Sequence, residues 1–388
     1  MRVAHIITRL IIGGAQENTL LNCEDLIRRY GDDVLLIVGP TTGPEGSLMD
    51  RAAAIPHRIL PNLVRQINPY RDFLAYGEIK RTLQEFRPDV VHTHSAKAGI
   101  LGRTAAWSLG VPAIVHGVHG APFYPYQNFL VREFYKYCER WAAKRCHAFV
   151  SVADAMTDLM VDANIAPREM FTTVYSGMEV ESFLESESHR VAVRQEFGFT
   201  ENDFVVGKIA RLFHLKGHEF VIAAAPKIVA AVPNVRFLFV GDGILTEKHR
   251  TEIARLGLEK YFVFAGLVPP SRISAVIAAM DAVVHTSLRE GLARVLPQTL
   301  ISGKPVISYD IDGAREVVKN GETGFLLPPK SVDELTDAVI TLAENSDLRN
   351  AMGQTGRAMF AERFDYRYMT DRIREIYKRI LNQSRTIS

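Results

Sequence analysis

The chain has little cysteine, almost no net charge and no long apolar run. Its three cysteines, Cys23, Cys138 and Cys146, are odd in number and lack metal-ligand spacing, which predicts reduced thiols in apolar surroundings and no disulfide framework. A formal net charge of +2 supplies no field that would favour nucleic acid, so anionic partners would have to act through local patches. The longest apolar segment, residues 220–232, is broken by Pro226 and Lys227 and falls short of the roughly 20 residues that a spanning helix needs. Nor does the N-terminus read as a leader: His5, Thr8 and Arg9 interrupt its apolar run, and no small-residue cleavage site follows. Repeats and low-complexity tracts are missing apart from residues 179–188, which include Glu-Ser-Glu-Ser. What remains is a globular protein, soluble or peripheral to a membrane, expected in the cytoplasm or at the inner face of the membrane.

What is present points to two α/β domains. At 388 residues, with 47% hydrophobic and 23% charged content, the chain can build two cores of ordinary size. Short apolar runs at 3–8, 34–38, 90–93, 113–118 and 148–152 alternate with helix-compatible segments, and the pattern repeats at 204–210, 235–240, 261–265, 282–286 and 306–309. The apolar-poor stretch around 179–188 separates them. The expected organisation is a first domain at 1–180, a linker at 181–200, a second domain at 201–365, and a last helix at 366–388 whose apolar face is Met369, Ile373, Ile376, Tyr377 and Ile380. In doubly wound sheets ligands bind beyond the carboxyl ends of the strands, so the strand-to-helix loops should converge on one cleft.

Several of those loops carry chemistry. In Ser287-Leu-Arg-Glu-Gly-Leu-Ala-Arg-Val-Leu-Pro-Gln298, Pro297 fits only a first helical turn, so a helix should start near Arg294 with Gly291 as the turn before it. Amides of Ala293, Arg294 and Val295 at that helix end suit a phosphate or diphosphate. Glu290 repels such an anion and is better used to accept hydrogen bonds from ligand hydroxyls, which implies a ligand with both phosphate and sugar. Gly13 and Gly14, in the loop after the first strand, let backbone approach a ligand, although an ordinary tight turn explains them equally well. Arg211 can chelate phosphate oxygens and Lys216 can add a point charge, together matching a diphosphate; solvated basic residues are the plain alternative. His92, His94, His116 and His119 lie on neighbouring loops but lack a carboxylate or cysteine that would complete a metal set, so His92 and His94 read as loop histidines bonded to backbone. Asp310 and Asp312 have the spacing of a metal-binding carboxylate pair, yet they lead into Gly313-Ala-Arg-Glu316, and no metal is assigned. In the segment 129–144, Phe134, Tyr137, Cys138 and Trp141 fall at the spacing of a buried helical stripe, with the basic residues on a solvated face; contact with an anionic membrane or a lipid-linked acceptor is the second reading.

The segment from Glu290 to Gln298, followed by Gly303-Lys-Pro-Val and Gly313-Ala-Arg-Glu316, resembles the donor-binding segment of the retaining glycosyltransferases of family 4 (glycosyltransferase group 1), and the resemblance runs in order over nearly the whole chain. It implies the GT-B fold: two doubly wound Rossmann-like domains facing each other across a cleft, the C-terminal helix crossing back to the N-terminal domain. It implies a hexosyltransferase moving a sugar from a nucleotide diphosphate, most commonly UDP, to a glycan or lipid-linked acceptor in polysaccharide synthesis, without metal or other cofactor. On the matching positions, His119 of the His-Gly turn would contact the donor sugar, as would Glu290. Arg211 and Lys216 of the Arg-Leu to Lys-Gly motif would neutralise the departing diphosphate. Gly13 and Gly14 would cover the donor phosphate, Val268 would border the base, and Leu292, Ala293, Arg294 and Val295 would bind the donor. The family usually has a second glutamate where this chain has Gln298, which keeps the hydrogen bonding to a ribose and loses the charge. No nucleophilic carboxylate pair is visible, so same-face attack assisted by the leaving phosphate is expected. A sugar-nucleotide epimerase of the same architecture and a donor-binding protein with a weakened site are the rivals.

Overall fold

The computed structural model describes residues 1–41 and 46–387. The chain divides into two units, Met1–Met178 together with the segment from Phe364 onward, and Glu179–Arg363.

The first unit is built on seven strands: β1 (Arg2–Ile7), β2 (Asp33–Val38), β3 (His57–Ile59), β4 (Val90–His94), β5 (Ala113–Val118), β6 (Ala148–Ser151) and β7 (Phe171–Thr173). All pair in parallel, in the order β3-β2-β1-β4-β5-β6-β7. Strict alternation along β1 sends Val3 and Ile7 into one core and Ala4 and Ile6 into the other, so helices cover both faces. The last helix, Tyr366–Ile387, seals the first of these cores with Met369, Ile373, Ile376, Tyr377 and Ile380, all at most 5% exposed. Burying each of those side chains is worth roughly 1.5–3 kcal/mol. Asp32 anchors the helix by accepting from Arg374 Nε at 3.0 Å while also taking the N-terminal ammonium at 2.7 Å.

The second unit has six parallel strands, β8 (Phe204–Ile209), β9 (Val235–Val240), β10 (Phe262–Gly266), β11 (Ala282–His285), β12 (Val306–Tyr309) and β13 (Gly324–Leu327), in the order β10-β9-β8-β11-β12-β13. Strands β8 to β12 carry the apolar runs that predicted them. β3, β7 and β13 did not stand out in the sequence because they are three or four residues long, and β3 (His-Arg-Ile) is an exposed edge with no apolar pattern.

Two expectations differ from the structure. Residues 181–200 are not a linker: Glu181–Leu184, Ser186–His189 and Arg190–Glu196 are helical turns packed on the second unit. Phe183 and Val193 are buried there, and Arg190 and Arg194 both bond the carboxylate of Asp281 at the foot of β11, at 2.5 and 3.3 Å. The polar composition had concealed a tether that holds a buried acid. The helix Phe129–Ala143 also turns the other way: it buries Glu139, Ala142 and Ala143, while Phe134 and Tyr137 are 53% and 66% exposed. Glu139 goes inward because Arg103, fully buried, meets it at 2.7 Å.

Candidate functional site

In each sheet the strand order reverses once, between β1 and β4 in the first unit and between β8 and β11 in the second, and loops leaving such a pair of strands open a crevice at their carboxyl ends. The loop after β8 approaches the end of β11 so closely that a Cβ on Gly217 would lie 1.9 Å from Thr286 O, and Gly217 has φ +72°. Thr286 Oγ1 donates to Gly217 O at 2.7 Å and Leu288 N–H to Leu215 O at 2.8 Å, which stitches the two loops together. The stitch delivers Lys216 to Glu290, Nζ to Oε1 2.5 Å, with His285 Nε2 3.7 Å from the same oxygen. Burial alone would raise the Glu290 carboxyl, but the Lys216 ammonium and His285 outweigh it and hold the group well below the usual carboxylate range. Both side chains of the pair remain about one-fifth exposed, 20% and 22%, so the charges meet solvent on one side. A polyanion arriving there would exchange one partner of the lysine for another.

The backbone of Glu290 is fixed as well. Its N–H donates to Asp312 Oδ2 at 2.6 Å, and Gly313 N–H reaches Gly291 O at 3.1 Å. Asp310 instead forms a fork with Arg315, at 2.6 and 2.9 Å. The two carboxylates of Asp310 and Asp312 therefore serve separate structural partners. Under the pair lies Lys208, which donates to Thr286 Oγ1 at 2.9 Å and whose pKa burial lowers to about 7. A lone cation in the apolar strand Phe-Val-Val-Gly-Lys-Ile is the sequence signal of such a buried support.

Of the other expected residues in this unit, Arg211 is exposed with its guanidinium 5.2 Å from the Phe213 ring centroid, and Val268 is half-buried in the loop after β10. Leu292, Ala293 and Arg294 are half-buried, and the helix runs Val295–Ile301 with Arg294 as its cap, which puts Pro297 in the first turn as expected. Gln298 is half-buried on that helix, its N–H bonded to Arg294 O at 3.1 Å. Asp242 is turn chemistry: its carboxylate accepts from Gly243 N and Thr246 Oγ1, both at 2.7 Å.

In the first unit, Gly13 caps the helix Gly14–Tyr30, its carbonyl accepting from Glu17 N–H at 3.0 Å. Thr8 and Ser95, from the loops after β1 and β4, join hydroxyls at 2.8 Å. Beside them is a cavity of about 450 Å³ whose lining includes Arg9, Arg65 and Lys97 together with Ile67, Leu101 and Phe134. Lys97 pairs with Asp72, also in the lining, at 2.5 Å. The histidines differ from expectation. His92 and His94 are buried members of β4, not loop residues, and they bond side chains: His92 Nδ1 to Tyr377 Oη at 2.6 Å, and His94 to His5 and His119, each at 3.0 Å. His116, like them, is buried within a strand, β5, and bonds Thr93 on the opposite face of the sheet, so only His119, in the loop after β5, joins the group. His5 was missed, although a histidine inside Val-Ala-His-Ile-Ile is as unusual as Lys208 in β8.

No helix among the described residues is long and apolar enough to cross a membrane. The helix Phe129–Ala143 and its start nonetheless expose Phe129, Leu130, Val131, Phe134 and Tyr137, with Arg145 packed over Trp141 at 3.7 Å from the ring centroid.

Comparison with known proteins places this geometry. The profile of the glycosyl transferases group 1 matches residues 190–359, and that of glycosyltransferase family 4 matches residues 12–182. The chain is 26% identical over 380 residues, 97% of its own length and 96% of the relative's, to the UDP-Gal:α-D-GlcNAc-diphosphoundecaprenol α-1,3-galactosyltransferase of Escherichia coli. It is 24% identical to the 2-deoxystreptamine glucosyltransferase of Streptomyces kanamyceticus, over 80% of this chain and 82% of that protein. Among solved structures it superposes on Anabaena HepE in complex with UDP with a TM-score of 0.82 at 24% identity, covering 97% of this chain and all (100%) of that one. Sucrose-phosphate synthase from Thermosynechococcus elongatus gives a TM-score of 0.83 at 16% identity, covering 99% and 100% of the two chains. With two parallel sheets of this order and both halves matched, the chain belongs to the family 4, group 1 glycosyltransferases and has the GT-B fold.

Proposed function

We propose that the protein transfers a hexose from a UDP-sugar, with retention at the anomeric carbon and without a metal, to a lipid-linked glycan acceptor. The observation that carries this reading is the Lys216–Glu290 pair at the strand reversal of the second sheet, a cation for a departing diphosphate beside a carboxylate for sugar hydroxyls. In the reaction the bond from the anomeric carbon to the phosphate oxygen breaks, and the acceptor oxygen bonds to that carbon on the same face. The acceptor proton passes to the departing phosphate. Negative charge grows on the diphosphate as the bond lengthens, and cations fixed in advance at that charge are usually the largest catalytic contribution. Arg211, Lys216 and the backbone at Leu292, Ala293, Arg294 and Val295 take that part. Glu290 and His119 orient the sugar, Gly13 and Gly14 approach the donor through backbone, Val268 borders the base, and Gln298 bonds the ribose as a neutral group.

The acceptor assignment has separate support. The first unit's cavity mixes charged side chains, Arg9, Arg65 and the Lys97–Asp72 pair, with the apolar Ile67, Leu101 and Phe134, a lining that suits a ligand with a polar head and a hydrocarbon body. The exposed aromatic and basic helix beside it suits peripheral contact with an anionic membrane, at the cytoplasmic face. The E. coli relative is named for a UDP-galactose donor and a diphosphoundecaprenol acceptor, and HepE was solved with UDP. Purified protein incubated with UDP-hexoses and a polyprenyl-diphosphate glycan tests the reading: the product should carry the donor's anomeric configuration. An inverted product would end the retaining assignment, and isomerised donor without acceptor would favour the epimerase.

A further inference from the structure

His285 ends β11, one residue before the threonine that ties the two loops of the second unit together, and it is 3% exposed. Burial lowers its pKa, Glu290 opposes that shift, and the ammonium groups of Lys208 and Lys216 add to it, so the ring is held neutral. Its Nδ1 lies 3.3 Å from Ser308 Oγ. Its Nε2, 3.7 Å from Glu290 Oε1, is buried with no hydrogen-bond partner among the described residues. That distance is too long for a hydrogen bond, yet the charge of the carboxylate still acts on the ring across it. A bare lone pair at Nε2 faces that charge unfavourably, and an N–H there faces it favourably. Ser308 allows either, because its hydroxyl proton can serve Tyr309 O at 2.9 Å or His285 Nδ1. The neighbouring carboxylate therefore favours a neutral ring with its proton at Nε2.

In the structure the carboxylate is held by Lys216, at 2.5 Å. The backbone beneath it is pinned, Glu290 N–H by Asp312 and Gly291 O by Gly313, so the carboxylate moves by side-chain rotation alone. A diphosphate that draws the ammonium away takes from Glu290 the donor that holds it. Lys208 cannot replace that donor without leaving Thr286 Oγ1, which it meets at 2.9 Å. His285 can: closing the gap from 3.7 Å to the roughly 2.9 Å of an N–H···O bond takes a movement of about 1 Å or less. A carboxylate gripped from the buried side by a neutral donor keeps its charge, and its remaining lone pairs stay available to sugar hydroxyls.

We propose that His285 is a positioning residue that takes over the Glu290 carboxylate, through Nε2–H, when Lys216 turns to the diphosphate of the donor. Buried as it is, the ring touches no substrate and acts only through Glu290. This rests on the reading of Lys216 as the cation of the diphosphate and of Glu290 as the ligand of the sugar.

Nitrogen-15 labelling of the histidines in the full chain reads the hand-over directly, with the spectrum of His285→Gln identifying the His285 signals. On saturation with UDP or UDP-glucose, His285 should carry a proton at Nε2 and its signals should move from their unliganded positions. Lys216→Met should show the liganded pattern with no nucleotide present. In calorimetric titration, His285→Leu should lose affinity for UDP-glucose roughly tenfold more than for UDP, and His285→Gln, whose amide can place an N–H where Nε2–H stood, should recover most of the difference. A histidine that only supports the strand would, when lost, weaken the two ligands alike and would not be rescued. A bare Nε2 in the UDP-glucose complex, a Lys216→Met spectrum that matches the unliganded unmodified protein, or equal changes for the two ligands in His285→Leu would overturn the proposal. Glu290→Gln keeps the two readings apart: normal UDP-glucose binding there sinks the sugar role of Glu290 and leaves the spectra to judge the hand-over, whereas a loss there without one in His285→Leu overturns the hand-over alone.

Discussion

Replacing Lys208 with methionine should stabilise the second unit, and by an amount that depends on pH. The ammonium is 1% exposed, and burial lowers its pKa from 10.5 to about 7. At about 1.4 kcal/mol per pKa unit, holding the charged form inside costs on the order of 5 kcal/mol. The folded value lies below the unfolded one, so between pH 7 and 10.5 the unfolded chain binds more protons and stability rises with pH across that window. Below pH 7 the full penalty applies. Methionine removes it and also the bond to Thr286 Oγ1, worth about 1 kcal/mol, so the net gain at pH 6 is roughly 4 kcal/mol. For a unit of this size that is roughly 10 °C in midpoint. Calorimetry of both proteins from pH 6 to 10 measures it: the midpoints should be far apart at pH 6 and converge toward pH 10. Parallel curves, or a variant less stable at every pH, would refute the account of Lys208 as a buried base.

Glu139→Ala should cost about 3–5 kcal/mol of stability in denaturant unfolding of the first unit, because it strands the buried Arg103 guanidinium. Gly217→Ala should weaken UDP binding by isothermal titration while Gly257→Ala leaves it unchanged: the first collides with Thr286 O, and the second, at a similar φ, meets nothing within 4 Å. Replacing Phe134 and Tyr137 together by serine should reduce co-sedimentation with phosphatidylglycerol vesicles and leave thermal stability nearly unaltered, since both rings are more than half exposed. Equal sedimentation would remove the membrane assignment of that helix.

The doubly wound architecture was legible because parallel strands buried on both faces must read as continuous apolar runs, and β1, β8 and β9 do so plainly. The loops were legible too, through Lys216-Gly217 and Glu290-Gly291, where turn glycines sit next to charge. What stayed hidden depended on long-range partners. Nothing near Glu139 announces Arg103, so an amphipathic reading of its helix put the aromatics inside and the acid outside. Likewise the Glu-Ser tract at 185–188 looked like solvent-exposed tether, whereas Arg190 and Arg194 just beyond it are drawn in by Asp281. The linked histidines of the first sheet and Lys208 were visible only as polar residues in apolar strands, a pattern that marks burial with a partner but not which partner.

The central claim is that Lys216 serves the diphosphate and Glu290 the sugar. Calorimetric titration of UDP and of UDP-glucose into the unmodified protein, Lys216→Met and Glu290→Gln separates the two roles. Lys216→Met should weaken both ligands by roughly 30-fold, about 2 kcal/mol. Glu290→Gln should weaken UDP-glucose while leaving UDP within a few-fold. Equal losses for both ligands in Glu290→Gln, or none in Lys216→Met, would contradict the account.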